Sequence, residues 1–370
     1  MRSRIAAFVV VIQLILLLAH WAVYRTLVSF WLVPAPATGG VRIFFAVASV
    51  SFVCASLLAF WHADFATRIF YTASAAWLGV FNYLFFCACA CWVFYGAAMA
   101  IGGHVPRRPF GIAFFGLALI LSLYGVINAA SPRVTRVTVR LPNLPASWRG
   151  RVVALVSDTH LGHVRNLGFI RRIIRTLASL QPAAVFIAGD LFDGTKTNVE
   201  ELAQAWKAWA PPLGTYYVTG NHEEFRDRSL FISAVARAGV RILNNEGIDL
   251  DGVQLVGVHF GESLNVDGFR AILRKSAADR ARPSILITHT PDRREAAAAE
   301  DISLQVSGHT HRGQLSPFTW AVKRMYGAYA YGLQRVGDMQ IYVSSGAGTW
   351  GPPLRVGTIA EIVLLKFELE

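Results

Sequence analysis

The sequence predicts a chain of two unlike parts: an N-terminal α-helical transmembrane region of about four helices over residues 1–130, and an α/β domain over 151–370, joined by a linker and first strand at 131–150. Three observations predict it. Hydrophobic residues make up 54% of the 370 and charged residues only 16%, which is too apolar for two soluble domains. The excess is concentrated before residue 130, where Asp64 is the sole acid. Beyond residue 150, strand-like apolar runs alternate with helical patterns, the signature of buried sheets flanked by helices.

Four apolar runs, 5–24, 41–61, 69–101 and 110–130, reach the roughly 20 residues that a hydrocarbon core requires. The third exceeds one span, so it tilts or projects. Pro34, Pro36, Gly39 and Gly40 break the chain after the first run, and Gly102, Gly103, Pro106 and Pro109 after the third. Trp21, Trp31, Trp61 and Tyr71 stand near the expected ends, where interfacial aromatics belong. The first run is too long for a signal peptide and three more follow it. Four spans put both termini on one side. Arg2, Arg4, Arg68, Arg133, Arg136, Arg140, Arg149 and Arg151 then outnumber Arg25, Arg42, Arg107 and Arg108 opposite, which assigns the α/β domain to the cytosolic side. Cys54, Cys87, Cys89 and Cys91 all fall in spans and read as packing residues, so no disulfide framework is expected. The net charge of +12 reads as arginine near anionic headgroups, with nucleic acid the less expected partner.

In the second part, 134–141 alternates polar residues with valine and predicts a strand. Strand and helix then pair as 152–156 with 167–180, 184–188 with 199–209, and 215–218 with 229–238. Later strands are expected at 254–258, 284–288, 304–306, 340–343 and 359–367. Five polar clusters follow these runs: Ser157-Asp158-Thr159-His160, Gly189-Asp190-Leu191-Phe192-Asp193, Gly220-Asn221-His222-Glu223, Thr288-His289, and Gly308-His309-Thr310-His311. Each alone is ordinary. Five in order at strand exits, each offering carboxylate oxygen or imidazole nitrogen, point to one converging ligand set.

The five blocks resemble the calcineurin-like metallophosphoesterase superfamily, whose pattern is D-x-H, G-D-x-x-D, G-N-H-[DE], a later His and G-H-x-H. The stretch from Val343 to Arg355 is similar to a segment of its membrane-associated bacterial phosphohydrolases, which include enzymes acting on UDP-2,3-diacylglucosamine. The resemblance implies a two-layered β-sandwich with helices outside and two divalent metal ions, Mn, Fe or Zn. Asp158, His160, Asp190 and His311 would hold one ion, and Asp190, Asn221, His289 and His309 the other. It implies His222 as a catalytic group beside the leaving oxygen, with Asp193 orienting it. Imidazole mixed with carboxylate suits those metals better than Mg²⁺ alone. Gly194 and Thr195 follow Asp193 where the protein phosphatases of the superfamily continue with Arg, which disfavours a phosphoprotein substrate.

His163, His259, Arg335 and Arg355 are candidates for substrate contact. The aromatic and basic stretch 316–333 fits either a core helix or a cap dipping into headgroups. The expected function is hydrolysis of a phosphoester or pyrophosphate in a membrane lipid or lipid-linked substrate, at a bacterial inner (cytoplasmic) membrane, with no protein partner predicted. The alternatives are a phosphodiesterase acting on a soluble nucleotide or nucleic acid, and a non-enzymatic membrane sensor or transporter that binds metal.

Overall fold

The computed structural model describes residues 2–370. Four helices, α1 (Arg2–Ser29), α2 (Thr38–Trp61), α3 (Phe65–Ala100) and α4 (Arg107–Ala129), match the four apolar runs and are long and apolar enough to cross a membrane. At 1.5 Å per residue, the 36 residues of α3 span about 54 Å, well beyond a hydrocarbon core of about 30 Å. Asp64, the lone acid, caps α3 by accepting the Thr67 amide at 2.9 Å. Val10, Leu14, Leu18, Ile43 and Leu123 are exposed on the helix surfaces, as lipid-facing residues are. Cys87 and Cys91 are buried, Cys54 and Cys89 exposed, and all four are free thiols.

The chain divides into two compact units, Met1–Ile127 with Gly351–Leu354, and Asn128–Trp350 with Arg355–Glu370. Residues 351–354 belong with the helices, where Leu354 fills the space left by the missing side chain of Gly79.

The second unit contains β1 (Arg133–Leu141), β2 (Val152–Val156), α5 (Leu167–Leu180), β3 (Ala184–Ala188), α6 (Val199–Gln204), β4 (Thr215–Val218), α7 (Arg228–Arg237), β5 (Arg241–Ile242), β6 (Glu246–Leu250) and β7 (Val253–Val258). It continues with α8 (Phe260–Ser263), α9 (Val266–Ser276), β8 (Ser284–Thr288), α10 (Arg294–Ala299), β9 (Leu304–Ser307), α11 (Phe318–Tyr326), β10 (Gly332–Val336), β11 (Met339–Val343) and β12 (Glu361–Leu369). The strands form two six-stranded sheets, ordered β1-β12-β2-β3-β4-β5 and β10-β11-β9-β8-β7-β6. Val153, Leu155 and Phe186 of the first sheet meet Leu255, Ile285, Ile287 and Val306 of the second in a shared interior. Alternate residues such as Ala154, Val156 and Ile187 face outward against Ile170, Ile173 and Leu177 of α5. On the far face of the second sheet, Val256 and Leu286 pack on Phe269 and Leu273 of α9. Burial on both faces explains why the central strands read as continuous apolar runs.

Parallel pairing of β2 with β3, β3 with β4, β7 with β8 and β8 with β9 brings the carboxyl ends of these strands to one edge of each sheet. All five polar clusters leave from those ends.

Candidate metal centre

Five of the seven candidate ligands adopt left-handed backbone conformations: Asp158 (φ 52°), His160 (47°), Asp190 (50°), His309 (72°) and His311 (47°). Such angles are uncommon outside glycine, and they cluster where a site is held against local preference. Gly189 (φ 79°) makes the second block possible, since a Cβ there would stand 2.6 Å from His289 Nδ1. At Gly308 an added Cβ would run into Ser157 and the Asp158 carboxylate.

The side chains form overlapping groups: Asp158, His160 and His311; His160, Asp190 and His222; Asp190, His289 and His309. Asp190 joins them. Its Oδ2 lies 3.2 Å from His289 Nε2, 3.7 Å from His160 Nε2 and 3.9 Å from His222 Nε2, while its Oδ1 accepts the His222 amide at 2.9 Å. On one side, His160 Nε2 faces His311 Nε2 at 2.9 Å, and His311 Nε2 is 3.4 Å from Asp158 Oδ1. On the other, Asn221 Oδ1, His309 Nδ1 and His289 Nε2 form a triangle with edges of 2.9, 3.1 and 3.2 Å. Two nitrogens each about 2.1 Å from a common ion at a right angle lie about 3.0 Å apart. Both clusters therefore have the spacing of ligands around an ion. His289 Nδ1 meets the Ala188 carbonyl at 2.8 Å, so Nδ1 donates and Nε2 keeps its lone pair for the centre.

Electrostatics agree with a cation site. Burial holds His160 and His311 well below the usual imidazole range, and it pushes His309 down to about 4. These rings are neutral and ready to ligate. Burial opposes a charge on His289, but the adjacent Asp190 carboxylate outweighs it and pushes this imidazole up to about 10. Burial raises the Asp158 carboxyl to about 6. A cation at the centre would take the place of the His289 Nε2 proton beside Asp190 and would favour the ionised Asp158 carboxylate.

His222 sits beside the centre with Nδ1 2.8 Å from the Asp193 carbonyl oxygen. Asp193 thus meets the ring through its backbone carbonyl, while its carboxylate accepts the Thr195 amide and hydroxyl. His163 is buried; burial raises the Asp193 carboxyl, and the nearby His163 offsets a small part of that rise. His259 is fully buried behind the Thr219–Asn221 turn, where Nδ1 accepts the Thr219 amide at 3.0 Å. Through this bond it braces a ligand loop.

The two arginine candidates are both engaged by protein groups. Arg335 pairs with Glu370 at 2.6 Å, and its register through Gln340 to Leu304 puts it at the end of the sheet opposite His309. Arg355 is 0% exposed; its Nη2 donates to the carbonyls of Ser345 (2.6 Å) and Gly348 (2.7 Å) and lies 3.2 Å from His311 Nδ1. Its guanidinium is consumed in holding the ligand loop.

Other residues have roles that the sequence leaves unassigned. Glu223 is buried and accepts the amides of Asp190, Phe192 and Gly220, tying two ligand blocks together. Phe225 and Trp350, 52% and 58% exposed, flank His222 at ring-centroid distances of 4.6 and 6.0 Å. Trp350 within the 343–355 stretch, and Phe225 two residues after the Gly220–Glu223 block, were the available signal.

Residues 151–313 match the profile of the calcineurin-like phosphoesterases. The chain is 31% identical to an uncharacterised metallophosphoesterase of Campylobacter jejuni, over 77% of this chain and 78% of that one. It is also 31% identical to a metallophosphoesterase of Helicobacter pylori, over 74% and 76% of the two chains. A zebrafish (Danio rerio) protein described as a transmembrane protein with a metallophosphoesterase domain is 31% identical over 68% of this chain and 61% of its own length.

Proposed function

Because this chain belongs to the calcineurin-like metallophosphoesterase family, we propose that it hydrolyses a phosphoester or pyrophosphate bond in a lipid or lipid-linked substrate, of which UDP-2,3-diacylglucosamine is one example. It is a metal-dependent phosphohydrolase with membrane-type helices; the bond, the substrate and the residue roles are the proposal. The observation that carries the chemistry is the pair of ligand clusters sharing Asp190 Oδ2.

Asp158, His160, Asp190 and His311 would hold one divalent ion, and Asp190, Asn221, His289 and His309 the other. When bound, such a pair lowers the pKa of an attacking water and offsets the charge gathering on phosphate oxygens. His222, locked through Nδ1 to the Asp193 carbonyl, presents Nε2 to protonate the leaving oxygen. Phe225 and Trp350 wall the same side with apolar surface.

Three features support a substrate in the bilayer. Only residues 130–132 separate α4 from β1, which at roughly 3.5 Å per residue is a reach of about 14 Å between their ends. The aromatic wall suits an apolar or planar leaving group. And α11 buries none of its residues: Phe318, Trp320 and Met325 are exposed beside Lys323 and Arg324, a combination that fits a headgroup layer. Of the two readings of 316–333, the exposure of Phe318–Tyr326 favours the cap over the core helix. The proposal also assigns the protein to a bacterial inner membrane with its catalytic unit on the cytosolic side.

The test is a panel of lipid phosphates, nucleotide-linked lipids and soluble nucleotides, supplied with Mn²⁺ to the full-length protein in vesicles, with products read by mass spectrometry. Preference for lipid-linked substrates is expected. Equal kcat/KM on soluble nucleotides, indifferent to vesicles, would move the function to the soluble alternative.

A further inference from the structure

Away from the metal centre, an open cavity of about 360 Å³ lies between α5 and the chain entering β1. Its rim is polar and basic: Ser131, Arg172, Arg175 and Ser179. Its floor is apolar, formed by Ile173 and Ile362. No acidic residue occurs in α5, and among the described residues neither Arg172 nor Arg175 pairs with a carboxylate. Nearby, Arg165 is pushed down to about 10 by its burial and by the charge of Arg172. Among the described residues no carboxylate therefore balances this positive charge, and Arg172 lies only over the Phe169 ring, 5.7 Å from its centroid. Salt bridges satisfy arginines elsewhere on this unit, as for Arg228, Arg237, Arg274 and Arg282.

The cavity's position in the chain decides what fills it. Ser131 lies two residues beyond the end of α4, a helix apolar enough to cross a membrane. A residue at that point of an apolar span stands at headgroup depth. Two guanidiniums with flanking hydroxyls suit a phosphate, for which arginine offers paired donors. The apolar floor suits the carbon skeleton next to that phosphate.

We propose that the cavity bounded by Ser131, Arg172, Arg175 and Ser179 is a binding site for the phosphate headgroup of an anionic phospholipid, separate from the catalytic centre. The site holds a resident lipid and fixes the depth of the catalytic unit at the membrane. It does not depend on the identity of the hydrolysed substrate.

The experiment uses the full-length protein in nanodiscs of phosphatidylcholine with and without phosphatidylglycerol, followed by native mass spectrometry of retained lipid. Wild-type protein is expected to retain phosphatidylglycerol selectively. Arg172→Glu with Arg175→Glu should lower that selectivity by about tenfold or more, given the attraction of each arginine near an anionic surface. Arg171→Glu, on the same helix but outside the lining, should leave it unchanged. Ser179→Trp, which fills the cavity without altering charge, should lower it as well, and this variant guards against misfolding of the charge-reversed protein. Hydrolysis of a soluble chromogenic phosphodiester should persist in all variants. Selectivity unchanged in both the double variant and Ser179→Trp overturns the proposal, as does an equal loss with Arg171→Glu. Tight binding of inorganic phosphate in phosphatidylcholine nanodiscs, abolished by the double substitution, would assign the cavity to a free phosphate and overturn the headgroup assignment.

Discussion

His222 and Asp193 separate two ways of orienting a catalytic ring. The resemblance implies Asp193 as the orienting residue, and the contact at 2.8 Å comes from its carbonyl, which a side-chain substitution leaves in place. His222→Ala should therefore lower kcat by about 10²- to 10⁴-fold, the usual worth of a positioned proton donor. Asp193→Asn should stay within about tenfold of wild type, which steady-state assays on a chromogenic phosphodiester will show. His259 makes a second prediction. Burial pushes its pKa down to about 4, from roughly 6.5 in an unfolded chain. Between those values the unfolded chain binds a proton that the folded chain refuses, so stability rises with pH across the window and is fully present above it. His259→Asn keeps an acceptor for the Thr219 amide. Denaturant titrations from pH 7 to 5 should show a shallower loss of stability in the variant than in wild type. Residue types and their spacing were legible because the blocks are local. Which atom of Asp193 meets His222, and how deep Arg355 lies, depend on loops distant in sequence and were not.

At the scale of the element, the strand exits carry the design. A parallel strand ends, the chain turns through a left-handed residue, and a ligand is left at the edge of the sheet. Gly189→Ala imposes a side chain at φ 79° and 2.6 Å from His289 Nδ1, a strain of about 1 to 3 kcal/mol. Thermal unfolding should show a lower midpoint, and Mn²⁺ should stabilise the variant less than it stabilises wild type. The central strands β2, β3, β4, β7, β8 and β9 were plain in the sequence because burial on both faces makes each a continuous apolar run. The edge strands β6 and β10 were missed. Their burial is partial, and Glu246, Asp249 and Arg335 interrupt the apolar pattern. For α11, aromatic spacing could not separate an inward face from an outward one; exposure of Trp320 and Met325 did.

For the whole molecule, four apolar helices give a testable topology. Cysteine introduced at Gly103, in the connection between α3 and α4, and cysteine introduced at exposed Asp301 should react with impermeant maleimide from opposite faces of sealed vesicles. Labelling of both from one face would remove a span from the count. The four native thiols lie within the apolar helices, which shields them from the reagent. The helices were legible from composition alone, whereas the attachment of Gly351–Leu354 to their unit was not, because it pairs segments more than 270 residues apart.

The three residues between α4 and β1 also set the units in which a bilayer substrate must be counted. An enzyme on so short a leash meets only molecules that diffuse laterally past it. Its encounter rate follows their number per unit area, and stirring or concentrating the suspension changes nothing. Adding inert phospholipid at fixed total substrate should slow turnover in proportion to the dilution of the surface.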